Sequence, residues 1–494
     1  MRLPLRRFFS SSGSVRYERE FSNPNFQLTF ITLLSIVVIF SKLGGNGLAN
    51  FDDCFYAQKA KEVLQTGNLM TMHYNGTPAF ENPPLYMWLA AISYKIFGVC
   101  EYAAKFPSAF MGVSTIILVY FFARYLFNNW TGFFSSFVLS TTFIFTRHAR
   151  HAMLDVTLSF FVCLAMFSLV LAIRKDARYF LLFGLSTGIC ILTKSVLGFF
   201  PFVIAAMYLL ITKRWRTFFN AYFLLGCAII LSVGFSWYVH QYLTFGRLFL
   251  DIHFGWLIFQ RGILLNPQPW YDHLSYFEDL LTYYWPWLPL LILGVAKFWK
   301  LARQKDERAL LILIWLGTIL GTMSIMKSRV LWYVMPIFPA AAVATGYALN
   351  EILKPRVKLA FMKASMCVGA AAIILLNATP LQIESEREKD VRTIAPYIKH
   401  FANRGAKVIA FRRDFYGLNN ALLFYSDVAA SPILQDYGDF SKAFDDTSLV
   451  LCVLSVSEVD QVLQNTSEIH VVKKTDELAT ISNRSLDVSE VKTW

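Results

Sequence analysis

Charge is scarce in this sequence: Asp, Glu, Lys and Arg make up 16% of its 494 residues, against roughly 25% in an ordinary soluble domain. A single soluble globular enzyme is thereby excluded. Cysteine supplies no framework either. The seven cysteines, Cys54, Cys100, Cys163, Cys190, Cys227, Cys367 and Cys452, include no CxxC pair and sit mostly in apolar runs. Neither a disulfide scaffold nor a metal cluster is indicated. No repeat of roughly 20 to 50 residues is visible, nor an inverted pair of interrupted helices of the kind a transporter shows. The first apolar run lacks a small-residue cleavage site, so it reads as an uncleaved span.

What is present is apolar surface. Hydrophobic residues make up 56% of the chain and aromatics 16%, the mean hydropathy is +0.46, and apolar runs of about 18 residues or more recur along the sequence. The bilayer is therefore the main solvent for the fold. The 46 Lys and Arg outnumber the 33 Asp and Glu, for a net charge of +13. In a soluble protein that would raise nucleic-acid binding; in a multispanning chain the excess belongs in the inner loops, and no nucleic-acid partner is expected.

Loop charges set a topology. Residues 1–25, with Arg2, Arg6, Arg7, Arg16 and Arg19, read as a cytosolic basic tail, Phe26 to Lys42 as the first span, and 44–105 as an outer loop. Pro84 to Phe97 is short for a crossing and reads as an interfacial helix. The runs Phe106 to Leu126, Trp130 to Phe145, Val156 to Ile173, the hairpin Tyr179 to Ile211, Phe218 to Val239, Leu310 to Met326, Leu331 to Leu349 and Phe361 to Leu376 follow. They leave Arg174, Lys213, Lys300 and Lys354 inside. The expected architecture is a multispanning α-helical membrane protein of about 11 to 13 spans over residues 26–379, then a small extracytoplasmic α/β domain over 380–494. Strands are predicted there at Lys407 to Phe411, Ser448 to Leu454 and Ile469 to Val472.

This topology gathers Asp52, Asp53, Glu81, Asp155, Lys194, His253, Arg261, Lys327 and Arg329 at the outer boundary. Ionisable groups at membrane depth are costly unless paired or facing a wet cavity, so acids and bases on one face point to a polar site. Its cations suit the phosphate of a lipid carrier, and its carboxylates suit general-base work on a hydroxyl or amine. Plainer roles are open to each: Asp52 and Asp53 as helix caps near Phe55, Asp155 as a cap or a partner of Arg150, Lys194 snorkelling to headgroups, and Trp270 to Trp287 as an interfacial aromatic belt. Glu81 and His253 are the candidates for a divalent metal, but two unspaced residues do not make a metal site.

The strings Asp52-Asp53-Cys54-Phe55-Tyr56-Ala57, Gly67-Asn68 and Phe80-Glu81-Asn82-Pro83-Pro84-Leu85-Tyr86-Met87-Trp88 resemble the patterns D-E-x-x-Y-A, G-[DN] and F-E-K-P-P-L-x-x-W. These patterns belong to the bacterial glycosyltransferases of the protein mannosyltransferase-like group. That group includes the aminoarabinose lipid A transferases, integral membrane enzymes of the GT-C fold that take sugar from a polyprenyl-phosphate donor. Ala104-Lys105-Phe106-Pro107-Ser108, Arg150 with Leu154-Asp155, Leu192-Thr193-Lys194 and Tyr333-Val334-Met335-Pro336 extend the likeness over residues 45–345.

The resemblance implies a GT-C glycosyltransferase that moves sugar, with inversion, from a polyprenyl-phosphate carrier to a lipid, polysaccharide or protein acceptor on the outer face of a bacterial inner membrane, facing the periplasm. It implies no nucleotide cofactor. Asp52 takes the place of the general base and Asp155 that of the second-loop acid. Asp53, Glu81, Asn82, Lys194, Arg261, Lys327, Arg329 and Tyr333 are the candidates for binding substrate or phosphate, with Lys194, Arg261, Lys327 and Arg329 able to supply the charge of the family lysine that Asn82 replaces, and Glu81 matches a glutamate that helps hold a metal in some relatives. Asn82 stands where the family has a lysine and Phe55 where it often has an arginine, which implies a different head group on donor or acceptor. The alternative from another class is a polyprenyl-phosphate lipid transporter or flippase, with the same cations and no transfer.

Overall fold

A computed structural model of the chain describes residues 23–264, 275–326, 330–378, 386–412, 415–465 and 469–491. The basic tail up to residue 22, Lys327, Arg329 and the expected boundary at 379/380 lie outside the described residues. Contacts divide the chain into two compact units. One comprises Met1–Ser41, Phe80–Tyr86 and Pro107–Leu381, the other Lys42–Ala79, Met87–Phe106 and Gln382–Trp494.

The first unit is helical. Six segments among the described residues are long and apolar enough to cross a membrane by length and composition: Glu101–Leu126, Leu154–Arg174, Tyr179–Ile211, Ala221–Phe245, Glu307–Ile325 and Leu331–Ile352. The chain is thus a multipass membrane protein. Several of the other expected spans are shorter, broken or charged helices. Pro24–Phe40 has 17 residues, Trp130 to Phe145 is split at Thr142 into Asn129–Thr141 and Phe143–Ala149, and Pro355–Ala378 carries Arg356, Lys358 and Lys363. Leu85–Phe97, with 13 residues, is a short apolar helix. Buried small residues let helices approach closely, as where Ser136 Oγ donates to the Ile116 carbonyl at 3.0 Å.

The second unit is built on a mixed sheet ordered β4-β3-β5-β7-β6, with β3 at Lys407–Phe411, β4 at Ile433–Leu434, β5 at Val450–Ser455, β6 at His470–Lys474 and β7 at Leu478–Ser482. β3 pairs in parallel with β4 and β5; β7 is antiparallel to β5 and β6. Parallel strands covered on both faces read as continuous apolar runs, and Val450-Leu451-Cys452-Val453-Leu454 is buried throughout. Phe411, Phe440, Phe444, Cys452, Leu454, Val462 and Ile481 form its core.

Most of the stretch expected to be an outer loop, within Lys42–Ala79 and Met87–Phe106, is folded into this same unit. Helix Asp52–Thr66 leads to a hairpin of β1 (His73–Tyr74) and β2 (Thr77–Pro78). Its turn is Asn75-Gly76, with φ of 51° and 73°, as the twist of a two-residue hairpin requires. The Glu62 carboxylate accepts from both turn amides, at 2.8 and 3.1 Å. Helix Phe415–Ser426 of the sheet domain fastens the chain ahead of Asp52: Tyr425 Oη accepts from Leu48 N at 3.0 Å, and Ala421 N donates to Asn50 Oδ1 at 2.7 Å. Lys61 reaches the Phe424 carbonyl at 2.9 Å and Asp427 at 2.5 Å. Sequence composition separates these segments because the contacts joining them span more than 350 positions.

Candidate functional site

Asp52 and Asp53 open the helix Asp52–Thr66. They stand in its first turn rather than at its cap, which is Phe51, and carboxylates there are favoured by the unpaired amides of a helix N-terminus. Asp53 is buried and accepts from Ala49 N at 3.2 Å; Asp52 is half-buried. Phe55, the departure from the family pattern, carries the buried Lys59 ammonium 3.9 Å from its ring centroid, an attraction of the ring face for a cation. Lys105 is buried too, donating to Asn46 Oδ1 at 2.7 Å and the Gly47 carbonyl at 2.6 Å.

In the helical unit, two helix ends meet. Asp155 lies in the first turn of Leu154–Arg174, and Lys194 is the last residue of Tyr179–Lys194. A carboxylate at an N-terminus and an ammonium at a C-terminus each sit well in the helix field, and here they form an ion pair. The partner of Asp155 is therefore Lys194 and not Arg150, whose guanidinium donates to the Val38 and Ile39 carbonyls at 3.2 and 2.8 Å. Lys194 also lies 4.3 Å from the Tyr333 ring centroid. Tyr333 belongs to the tight segment Leu331–Ile337, held by the Trp315 indole donating to the Pro336 carbonyl at 2.9 Å. The second carboxylate oxygen of Asp155 is buried with no hydrogen-bond partner among the described residues. An ammonium has three donors, and Asp155 and Tyr333 leave Lys194 with capacity for another anion.

The motif strings brace this cluster. Tyr86 Oη stands 3.4 Å from Ser108 Oγ, and Ser108 bonds the Met153 backbone twice, donating to its carbonyl and accepting from its amide at 3.2 Å. Met153 is the residue before the helix that carries Asp155.

His253, buried on the wide helical segment Asp251–Leu264, has its Nδ1 2.6 Å from the Phe80 carbonyl and its Nε2 2.8 Å from Ser195 Oγ. Burial holds its pKa below the usual imidazole range, against the opposing pull of the Phe80 carbonyl and Glu81. Glu81 and Asn82 are half-buried in the segment beside Phe80. A metal shared by Glu81 and His253 would have to displace Ser195 Oγ from His253 Nε2. Both ring nitrogens are spent on hydrogen bonds, and among the described residues no three of His, Cys, Asp and Glu group to hold a metal ion. Arg261 lies on the same segment, its side chain outside the described set, as are Lys327 and Arg329.

Ser195 and Tyr238 were not singled out from the sequence. Ser195 has φ 34° and ψ −119°, and Tyr238 Oη lies 3.0 Å from its hydroxyl. The signal available was position alone: Ser195 follows the Leu192-Thr193-Lys194 string.

Comparison with known proteins bears on this arrangement. Residues 81–240 match the family model described as dolichyl-phosphate-mannose-protein mannosyltransferase. An uncharacterized protein of Aquifex aeolicus is 30% identical over 336 residues, 67% of this chain and 65% of that one. The undecaprenyl phosphate-alpha-4-amino-4-deoxy-L-arabinose arabinosyl transferase 2 of Pseudomonas fluorescens is 27% identical over 321 residues, 63% of this chain and 57% of its own length. The chain thus spans less than two thirds of the length of these relatives. Among solved structures, ArnT from Cupriavidus metallidurans superposes in its apo state with a TM-score of 0.75 at 19% identity, covering 92% of this chain and 97% of that one. Its form bound to undecaprenyl phosphate gives 0.72 at 18%, covering 98% and 99%. The fold is GT-C.

Proposed function

We propose that this chain, a GT-C-fold relative of the dolichyl-phosphate-mannose-protein mannosyltransferase family and of the undecaprenyl-phosphate aminoarabinose transferases, is a glycosyltransferase. It moves a sugar from a polyprenyl-phosphate carrier to a lipid, polysaccharide or protein acceptor, on the periplasmic face of a bacterial inner membrane. The observation that carries this reading is the Lys194 ammonium held between Asp155 and the Tyr333 ring, with donor capacity left over.

The chemistry follows from the charges. Asp52 takes the proton of the acceptor hydroxyl or amine as that atom attacks the anomeric carbon opposite the phosphate, so the configuration inverts. The bond from the anomeric carbon to the phosphate oxygen breaks, and the electron pair leaves on polyprenyl phosphate. That leaving group gains charge as the bond breaks, and a preorganised cation there lowers the barrier. Lys194 supplies it, held in place before the donor arrives. The unpartnered oxygen of Asp155 accepts a sugar or acceptor hydroxyl.

Mass spectrometry of polyprenyl-linked sugars and of lipid and glycan fractions tests this in cells with the intact protein, the deletion and Asp52→Asn. A sugar-charged carrier that accumulates equally in the deletion and in Asp52→Asn, with one glycan losing that sugar, supports transfer through Asp52. A carrier trapped by the deletion alone favours lipid transport over transfer.

A further inference from the structure

A line of hydrogen bonds runs through the break at Lys194–Ser195. His253 Nδ1 faces the Phe80 carbonyl at 2.6 Å; a carbonyl only accepts, so this nitrogen carries the proton. In the neutral ring Nε2 is then an acceptor, and Ser195 Oγ donates to it across 2.8 Å. Tyr238 Oη lies 3.0 Å from Ser195 Oγ and also reaches the Ile191 carbonyl at 3.4 Å. The imidazole cannot swing away. Phe249 stacks on it at 5.3 Å, Trp237 and Tyr238 stand edge-on at 5.6 and 5.5 Å, and Phe254 at 5.0 Å.

Ser195 is where the helix is broken. Lys194 has φ −151° and ψ 65°, and Ser195 has φ 34° and ψ −119°. A non-glycine residue in such a conformation persists when its surroundings over-determine it. These torsions set the direction in which the Lys194 side chain leaves the helix end. At the other end of the line, Phe80 is the neighbour of Glu81 and Asn82, and its ring packs on Phe245 and Phe249 at 4.9 and 5.7 Å.

We propose that Ser195 and His253 are positioning residues for the donor phosphate. They form a metal-free strap that ties the Phe80–Asn82 segment to the helix break and holds Lys194 against Asp155 and Tyr333. The proposal rests on the polyprenyl-phosphate reading given above. It assigns to hydrogen bonds the organising work that a metal shared by Glu81 and His253 would do elsewhere. A metal on Nε2 would take the acceptor that Ser195 uses, so the two arrangements are mutually exclusive.

The test uses the full-length protein in detergent, with undecaprenyl phosphate as the binding probe. Ser195→Ala weakens binding about five- to tenfold, the worth of one buried hydrogen bond, while Ser195→Thr, which keeps the hydroxyl, stays within about twofold. In a Lys194→Ala background Ser195→Ala adds nothing further, because the strap acts through Lys194. Ser195→Gly, which adopts φ 34° without strain and lacks the hydroxyl, repeats the loss should the alanine variant fail to fold. Elemental analysis finds no stoichiometric metal, and chelator leaves binding unchanged.

Three results overturn the strap while leaving the donor site intact. These are normal binding by both Ser195→Ala and Ser195→Gly, losses that add to that of Lys194→Ala, or one equivalent of metal that His253→Asn removes. If the intact chain fails to bind undecaprenyl phosphate, the donor reading falls and the strap with it.

Discussion

Asp155 and Lys194 are paired across 39 positions of sequence, the carboxylate at the start of one helix and the ammonium at the end of the next. The pair places a fixed cation beside an acceptor oxygen with room for another donor. Both groups are largely removed from solvent, with side chains 1% and 12% exposed.

Removing one partner of such a pair leaves the other charge buried alone. Lys194→Met is expected to cost about 3 to 5 kcal/mol of stability and to weaken, but leave measurable, the binding of undecaprenyl phosphate. Adding Asp155→Asn removes the orphaned charge, so the double variant recovers much of the stability and none of the binding. Thermal unfolding in detergent and a binding assay on the same samples separate the two effects.

Gly198 sits where the segment after the break folds back on the helix end. A Cβ there would lie 2.4 Å from backbone atoms of Cys190 and Ile191, which cannot move aside as a flexible side chain would. Gly198→Ala is expected to destabilise by about 1 to 3 kcal/mol and to weaken donor binding through Lys194. Ala205, one turn or more along the following helix, is a matched control when changed to Gly: it costs about 1 kcal/mol without a specific loss of binding.

The sheet domain is expected to loosen in acid. Asp427 is partly buried, which raises its pKa, but hydrogen bonds and charge from Lys399 and Lys61 outweigh this and hold it below the usual carboxylate range. A lowered folded pKa contributes stability that is present above the unfolded value of about 4 and is lost as pH falls through the folded value. Unfolding of the intact protein should therefore steepen with acid below about pH 4. Asp427→Asn should lower stability at neutral pH and flatten that dependence; an unchanged acid profile in the variant argues against the assignment.

Asn50 and Tyr425 hold the chain just ahead of Asp52. Asn50→Ala leaves the buried Ala421 amide without its acceptor, at a cost of about 1 to 3 kcal/mol. Turnover is expected to fall with donor binding kept, since the base and not the phosphate site is disturbed. Equal loss of both would instead point to general unfolding.

Much of the fold is legible in the sequence. Scarce charge and long apolar runs determine that the chain is solvated by a bilayer, because burying polar backbone in hydrocarbon leaves helices as the economical solution. β3 was predicted residue for residue, and β5 and β6 within two. β4 and β7 were missed: β4 has two residues, and β7, Leu-Ala-Thr-Ile-Ser, alternates too weakly to stand out. The break at Thr142 within the run Trp130 to Phe145 was not legible, because hydropathy does not register it.

Residue type and order marked Asp52, Asp155, Lys194 and His253 as candidates with chemistry to do, since charge and hydrogen-bonding capacity belong to the side chain itself, and Tyr333 was marked by the family resemblance. Which of them meet was decided by tertiary structure alone. Pairing Asp155 with Lys194 rather than the nearby Arg150, and spending both nitrogens of His253 on Phe80 and Ser195, depends on helix ends brought together from distant stretches. Hydrogen bonds and ion pairs act over a few ångströms, a proximity the fold creates and the order of residues does not record.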